Sequence, residues 1–235
     1  ATSFMLLFAL ITKFSGAIFK DEEFRWYTSI LLLFTVGIAV SLLVTHRTEG
    51  VESSFRIALF QVVSTVSTTG YTTADYPSWG ASFRLLFLGL MLFCGSQGST
   101  SGGMKISRLV VLAKNTLLVF KRQVHPDALY RVKINGRVIS DDTSSRVLAF
   151  AFLYITLAAF STLVLSLTGM TFEESIGVSF SSISSLGAGF GAYGPGGTYE
   201  SATVFAKYYL CFLMLVGRLE IFTVLSLLIP DFWKR

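Results

Sequence analysis

Long apolar runs dominate the chain and predict helices that cross a membrane. Residues 26–44 and 147–168 contain no charged side chain. At about 1.5 Å per residue, a helix of about 20 residues reaches the ~30 Å thickness of the hydrocarbon core. A third run, 203–229, is long enough to span although charged residues interrupt it. A shorter run, 4–19, is expected to be the end of a preceding transmembrane helix.

Two further apolar runs are too short to span and are predicted to be re-entrant. Residues 55–67 and 173–185 each lead into a turn that contains glycine. Thr171 and Glu174 form a capping-box pattern that fixes the start of the second run. Backbone that leaves helical geometry at membrane depth must be buried in protein or face a water-filled cavity. We therefore expect both turns to line a pore.

The two re-entrant segments belong to an internal repeat. Gly187 follows Gly70 by 117 positions, and residues 64–68 fall opposite residues 181–185 at the same offset. The order of helix, short helix, glycine turn and helix also recurs. The sequence thus predicts an all-α membrane protein built from repeated units of transmembrane helix, re-entrant pore helix, filter loop and transmembrane helix. Four divisions are expected. Residues 1–20 are the end of a preceding transmembrane helix, and residues 21–122 are a pore repeat with a broken inner helix. Residues 123–146 are a cytoplasmic basic linker with a hairpin, and residues 147–235 are a second pore repeat.

Composition supports the membrane setting. Hydrophobic residues make up 52% of the 235 residues, and charged residues only 14%. Basic residues cluster between positions 105 and 146, which marks that side as cytoplasmic, and they form no aromatic-laced stripe that would indicate a nucleic-acid partner. Cys94 and Cys211 lie in apolar runs and indicate buried thiols. His46 and His125 are isolated, so no transition-metal site is expected.

The turn after the first short run carries the most informative chemistry. A dehydrated monovalent cation is stable only if carbonyl oxygens replace its hydration shell, and glycine permits the positive φ that turns neighbouring carbonyls to one side. The pattern predicts a potassium-binding filter strand at Thr68, Thr69, Gly70 and Tyr71. A polar turn between two helices is the simpler alternative for four residues alone. The repeat predicts the second filter strand at Ser185, Leu186 and Gly187.

The run 83–120 is interrupted by small and polar residues at 95–103. Such a segment lacks branched packing and helix propensity, so we expect it to be mobile and to act as a gate. A phosphate loop is excluded because Met104 occupies the position where Lys is required. A simple kinked helix is the other alternative. The candidate gating residues in and beside this loop are Gly95, Gly98, Ser101, Gly102, Gly103 and Lys105.

Two charged residues of the last run complete the candidate gate. Arg218 lies 117 positions after Ser101, so the two are expected at similar depth below the filters. A charge at that depth is costly and usually functional, and we predict that Arg218 repels potassium until the loop moves. Snorkelling of Arg218 to the cytoplasmic face is the alternative. Glu220 is expected to point away from Arg218 on the same helix and to reach Lys105.

The linker between the two repeats contains a predicted hairpin. Residues 130–140 alternate around Asn135-Gly136, the strongest short hairpin signal. Together with the basic surface of residues 121–137, this cytoplasmic hairpin is expected to contact a regulatory partner. Binding of anionic lipid headgroups explains the same basic surface equally well.

Three segments carry a resemblance to a known family. They are STVSTTGYTTADYPSWG at 64–80, GSQGSTSGGMK at 95–105 and GRLEIFTVLSLLIPDFWKR at 217–235. They resemble the third filter, the intramembrane loop and the last helix of the Trk/Ktr potassium transporters, in their TrkH-type membrane subunit. The resemblance covers nearly the whole chain and implies the C-terminal half of a four-repeat pore, with the first two repeats outside these residues. The family more often has Asn where Ser185 stands.

The resemblance also implies a function and partners. It implies potassium uptake across a bacterial inner membrane by a multi-pass protein, with potassium as the transported ion and no covalently bound cofactor. The implied partners are a second copy in a homodimer, a cytosolic nucleotide-binding regulatory subunit and membrane lipids. An alternative is a secondary transporter whose discontinuous helices couple a cation gradient to substrate uptake, although the shared orientation of the two units favours a pore. An enzyme has the least support, because the sequence offers no catalytic constellation.

Overall fold

The computed structural model describes residues 1–13, 16–125, 130–227 and 229–234, and most of them are helical. The α-helices are α1 (Phe4–Lys13), α2 (Glu22–Val44), α3 (Val51–Val66), α4 (Ala81–Leu92), α5 (Ile106–Val124), α6 (Asp141–Leu167), α7 (Phe172–Ser184), α8 (Val204–Arg218) and α9 (Ile221–Leu227). Short 3₁₀ helices occupy Gly16–Lys20, Tyr76–Trp79, Gly191–Tyr193 and Pro230–Trp233. Two-residue strands pair as β1 (Phe93–Cys94) with β2 (Met104–Lys105) and β3 (Lys133–Ile134) with β4 (Arg137–Val138). The predicted all-α membrane fold is confirmed.

Helices α2 and α6 are long and apolar enough to cross a membrane. Both begin at a side-chain cap. The Asp21 carboxylate accepts a hydrogen bond from the Phe24 amide at 2.9 Å, and the Ser140 hydroxyl accepts one from the Thr143 amide at 3.3 Å. Such caps satisfy amides that have no partner in the first helical turn. The two uncharged runs therefore fold as predicted, each preceded by a polar first turn.

Helices α3 and α7 are the two short helices predicted to be re-entrant. Helix α3 packs against α2, and α7 packs against both α6 and α8. The predicted capping box starts α7, since the Glu174 carboxylate accepts from the Thr171 amide at 2.9 Å while the Thr171 hydroxyl accepts from the Glu174 amide. The two units meet where α7 packs on α4. There Arg84 and Glu173 form an ion pair at 3.3 Å.

Each unit has its own apolar core. The first core includes Ile38, Leu42, Val62, Phe87 and Leu90. The second includes Tyr154, Leu165, Val178, Ile183 and Leu213. Two residues of the second unit, Leu186 and Phe190, are nevertheless buried in the first core. The segment after α7 is therefore anchored across the boundary between the units, which fixes one predicted filter strand relative to the other.

The inner helix of the first unit breaks between α4 and α5, as predicted. The expectation that Arg218 and Glu220 share one helix is wrong. Helix α8 ends at Arg218, and α9 starts at Ile221 at an angle of 110°. Glu220 interrupts the helix because its φ is +66°, in the left-handed region. Gly103, 117 positions earlier, has a φ of +63°, so the interruption recurs at the equivalent place in both units.

The predicted hairpin is confirmed, with β3 antiparallel to β4. Asn135 and Gly136 have φ values of +49° and +76°, which is the geometry of a type I′ turn. The Asn135 side chain also reaches the start of α2. Its oxygen accepts from the Glu22 amide at 2.8 Å, and its nitrogen donates to the Asp21 carboxylate at 2.8 Å. Residues 126–129 of the predicted linker lie outside the described residues.

Candidate ion pathway

The turns that follow α3 and α7 have the same backbone hydrogen bonds. The Thr69 amide donates to the Ser64 carbonyl at 3.0 Å. The Leu186 amide, 117 positions later, donates to the Ser181 carbonyl at 2.9 Å. Each turn therefore folds back on the last turn of the short helix that precedes it. The internal repeat extends from the sequence to the main-chain geometry.

Backbone dihedrals recur at the same offset. The φ values of Thr68 and Ser185 are +54° and +61°, and those of Gly70 and Gly187 are +80° and +94°. A residue other than glycine in the left-handed region costs roughly 1–2 kcal/mol. Such strain persists only where the surrounding structure imposes it, and it is concentrated at functional sites. Both units therefore carry a strained turn at the predicted filter positions.

The two turns lie against each other. A Cβ atom on Gly70 would lie only 2.5 Å from the carbonyl oxygen of Leu186. A side chain at Gly70 would collide with the opposite turn, so glycine is required here for close approach as well as for its positive φ. Because α3 and α7 end at these turns, their carboxyl ends, each equivalent to roughly half a negative charge, converge on one place.

Protein donors occupy two of the predicted ligand carbonyls. The Ser64 hydroxyl donates to the Tyr71 carbonyl at 2.6 Å, and the Tyr199 hydroxyl donates to the Gly187 carbonyl at 2.7 Å. In the described part of the chain, no donor reaches the other predicted ligand carbonyls, which belong to Thr68, Thr69, Gly70, Ser185 and Leu186. A set of carbonyl oxygens without hydrogen-bond donors is the ligand that a dehydrated monovalent cation requires.

The loop 95–103 packs against the turn that follows α7. A Cβ atom on Gly102 would lie 2.7 Å from the Ser184 carbonyl oxygen and 2.9 Å from the Ser185 hydroxyl. A Cβ atom on Gly103 would lie 2.5 Å from the sulfur of Cys94. Larger residues at either position would push the loop away from the end of α7. The glycines of this loop therefore place it next to the candidate filter.

Main-chain pairing closes the base of the loop. Strands β1 and β2 run parallel, with Phe93 opposite Met104 and Cys94 opposite Lys105. The two ends of the interruption are therefore held together, and the loop returns to its starting point before α5 begins. This geometry excludes the alternative of a simple kinked helix.

The remaining loop residues divide between a buried and an exposed part. Gly95 is buried, and a Cβ atom on it would lie 2.5 Å from the Ser101 hydroxyl. Ser101 is also buried, and its hydroxyl pairs with that of Ser99 at 2.8 Å. Gly98 is exposed, and its carbonyl accepts from the Phe4 amide at 3.3 Å. The start of α1 thus rests on the tip of the loop.

Two positively charged side chains, those of Lys105 and Arg218, bind the carbonyls of the loop. The Arg218 guanidinium donates to the Thr100 carbonyl. The Lys105 ammonium donates to the carbonyls of Ser99 and Ser101, at 3.1 and 2.5 Å. A cavity of about 180 Å³ lies between this loop and the end of α8, with Lys105 and Arg218 in its wall. The predicted proximity of Arg218 to the loop is therefore present in the structure.

Glu220 does not reach Lys105, contrary to expectation. Its carboxylate lies 2.7 Å from the guanidinium of Arg108, in the first turn of α5. The Arg108 guanidinium also lies 3.9 Å from the ring centroid of Phe150, so it is held between α6 and the break before α9. This pair could not be predicted from the sequence, because Arg108 is one of many basic residues between positions 105 and 146 and is interpreted with them as a topology signal.

Sequence reasoning also missed Glu23, which contacts the loop from another helix. Its carboxylate accepts a hydrogen bond from the Gln97 amide at 2.5 Å. Glu23, Lys105, Arg108 and Glu220 line a cavity of about 720 Å³ between the loop, α5 and α6. Glu23 stands just before an apolar run, where an acidic residue is ordinary at a helix N-terminus. The sequence position of Glu23 therefore did not indicate its contact with the loop.

Comparison with known proteins identifies the family. The sequence profile of the TrkH family, described as "Cation transport protein", matches residues 8–234. The Trk system potassium uptake protein TrkI of Halomonas elongata is 34% identical over 240 residues, which cover 100% of this chain and 48% of that protein. The Trk system potassium uptake protein TrkH of Escherichia coli K12 is 31% identical over 236 residues, covering 98% of this chain and 47% of that protein.

A solved structure gives the same result. The crystal structure of the potassium transporter TrkH from Vibrio parahaemolyticus matches with a TM-score of 0.89 and 33% sequence identity, covering 98% of this chain and 50% of that chain. The chain spans about half the length of the curated relatives it matches. The predicted family is confirmed by these comparisons. The chain belongs to the TrkH family of cation transport proteins.

Proposed function

We propose that this chain supplies half of a potassium-conducting pore that takes up potassium across a bacterial inner membrane. The observation that carries the proposal is the contact between the two strained turns, where the Cβ position of Gly70 lies 2.5 Å from the Leu186 carbonyl oxygen. Two pore helices therefore end at one point and present main-chain oxygens there. The curated relatives are named potassium uptake proteins, which favours potassium as the ion.

In this proposal, the carbonyls of the two turns replace part of the hydration shell of potassium. The oxygens of Thr68, Thr69, Gly70, Ser185 and Leu186 are the ones without a protein donor in the described residues. The converging carboxyl ends of α3 and α7 add a favourable negative potential. The remaining oxygens of a complete ring would come from the other half of the pore, as the family resemblance implies. No covalent chemistry is involved.

The proposed gate consists of the loop 95–103 with Lys105 and Arg218. Both side chains bind loop carbonyls, which supports a position for them beside the proposed pathway. A potassium ion about 4 Å from one of these charged side chains would be repelled by about 4 kcal/mol at an effective dielectric of 20. This repulsion is enough to exclude potassium nearly completely. Movement of the loop would carry its carbonyls away from both cations and change this barrier.

The arrangement in the cell follows the family resemblance. We propose a homodimer of the membrane subunit, surrounded by membrane lipids and controlled by a cytosolic nucleotide-binding regulatory subunit. The basic hairpin of residues 130–140 lies on the side that the positive charges mark as cytoplasmic and is the proposed contact for that subunit. The segment boundaries at 1–20, 21–122, 123–146 and 147–235 stay predictions.

Uptake of radioactive rubidium into liposomes that hold the full-length protein tests this function. We expect an inside-negative membrane potential alone to drive rubidium uptake. Potassium should compete with this uptake, and sodium should compete poorly. Empty liposomes are the control. A requirement for a sodium or proton gradient in the absence of any potential-driven flux would favour the secondary transporter instead. The absence of rubidium uptake under both conditions would overturn the proposal.

A further inference from the structure

Tyr199 lies outside the predicted filter but binds it directly. Its hydroxyl donates to the Gly187 carbonyl at 2.7 Å, across 12 positions of sequence. Burial raises the pKa of Tyr199 to about 12, so the hydroxyl keeps its proton at any physiological pH and always remains a donor. One carbonyl of the second filter strand therefore has a permanent partner in the loop that follows it.

The first unit holds its filter strand in a different way. There the Ser64 hydroxyl, on the pore helix itself, donates to the Tyr71 carbonyl at 2.6 Å. The equivalent serine of the second unit is Ser181, 117 positions later, and its buried hydroxyl has no hydrogen-bond partner among the described residues. The second unit therefore contains the serine but does not use it for this purpose. By the same offset Tyr71 corresponds to Ala188, so Tyr199 anchors the carbonyl one position earlier, that of Gly187.

The ring of Tyr199 is itself held in place. It lies 5.1 Å from the ring centroid of the buried Tyr193. The backbone of Tyr193 returns to the filter segment, because its carbonyl accepts from the Gly189 amide at 2.8 Å. The donor is thus fixed relative to the strand that it binds. An anchor of this kind restricts the direction of the Gly187 carbonyl.

We infer that Tyr199 is a positioning residue that sets how strictly the pore selects potassium over sodium. The inference rests on the proposed function. Selectivity in carbonyl-lined filters depends on the number, spacing and field strength of the carbonyl dipoles around the ion. Without the hydroxyl, the Gly187 carbonyl can turn, and the strand can close around the smaller sodium ion. The hydroxyl therefore acts on discrimination between ions more than on the existence of the pathway.

The substitution Tyr199→Phe tests this inference, because it keeps the ring next to Tyr193 and removes only the donor. In liposomes holding the full-length protein, we expect the ratio of rubidium to sodium uptake to fall by about two- to tenfold, the range equivalent to one net hydrogen bond. The control is Tyr208→Phe, since Tyr208 is 76% exposed and its hydroxyl has no partner among the described residues. This control should leave the ratio unchanged.

The outcomes separate this inference from the proposed function. If the wild-type protein takes up no rubidium, the proposed function fails. If the wild-type protein is selective and Tyr199→Phe has the same ratio, only the role of Tyr199 is wrong. A second readout does not depend on whether Tyr199→Phe folds. The fluorine NMR resonance of a fluorotyrosine at position 199 of the otherwise unaltered protein should change when potassium is replaced by sodium. An invariant resonance would also overturn the role of Tyr199.

Discussion

The carboxylate of Glu23 accepts a hydrogen bond from the main-chain amide of Gln97 at 2.5 Å. Glu23 lies in the first turn of α2, whereas Gln97 lies within the loop 95–103. The neighbouring Glu22 binds the Lys114 ammonium at 2.6 Å, and its amide donates to Asn135 of the hairpin. The start of α2 therefore connects the hairpin of β3 and β4 to the candidate gate through two adjacent acidic residues.

Glu23→Gln should loosen the loop. A hydrogen bond to a charged group contributes about 1.5–3 kcal/mol, and a neutral amide replaces only part of this. Because the loop is bound to Arg218 in this structure, its release is expected to raise basal rubidium uptake severalfold without changing ion selectivity. The control is Glu52→Gln, since the Glu52 side chain is 80% exposed and, among the described residues, pairs only with Arg56 on the surface of α3. Basal uptake equal to that of the wild type would contradict the prediction.

Arg218→Ala should remove part of the electrostatic barrier. We expect higher basal uptake and a weaker response to the proposed regulatory subunit, because the contact with the Thr100 carbonyl and the positive charge are both lost. Arg218→Lys keeps the charge and should give an intermediate result. The measurement is rubidium uptake with and without the regulator. Unchanged uptake in both conditions would show that Arg218 has no part in gating.

Gly70→Ala should abolish uptake. The added Cβ would meet the Leu186 carbonyl oxygen at 2.5 Å, and alanine is also strained at a φ of +80°. The matched control is Gly37→Ala in α2, where nothing lies within 4 Å of the added Cβ. This control should keep uptake and slightly raise the melting temperature, since alanine favours the helix. Selective uptake by Gly70→Ala would mean that the two turns do not meet at the ion pathway.

The pair of Arg108 and Glu220 should show energetic coupling. The arginine side chain is 20% exposed and the glutamate side chain 46%, so solvent screens the interaction in part. We expect a coupling free energy of about 1 kcal/mol in a double-mutant cycle of Arg108→Gln and Glu220→Gln, measured by thermal unfolding. The pair of Lys105 and Glu220 should give a smaller value. A larger coupling energy for Lys105 with Glu220 than for Arg108 with Glu220 would contradict the observed ion pair.

Local features of the fold could be predicted from the sequence. The capping box of Thr171 and Glu174 and the turn at Asn135-Gly136 depend on residues next to each other, and both formed as expected. The interruption at 95–103 followed from its low helix propensity. In each case the relevant energy is determined within a few residues, so the sequence contains the information.

Contacts between distant segments could not be predicted in this way. Glu23 is 74 positions from Gln97, and Arg108 is 112 positions from Glu220. Their partners depend on how the helices pack, which the spacing of charges does not determine. The break at Glu220 also has no local signal, because neither glycine nor proline occurs there. Only the repeat could have indicated it, since Gly103 occupies the equivalent position.

The parallel pairing of β1 with β2 has a consequence for how relatives can diverge. Because Phe93 is tied to Met104 and Cys94 to Lys105, insertions or deletions between these pairs change the length of the enclosed segment and leave its two ends joined. Natural variation in that length can therefore alter the proposed gate without separating the end of α4 from the start of α5.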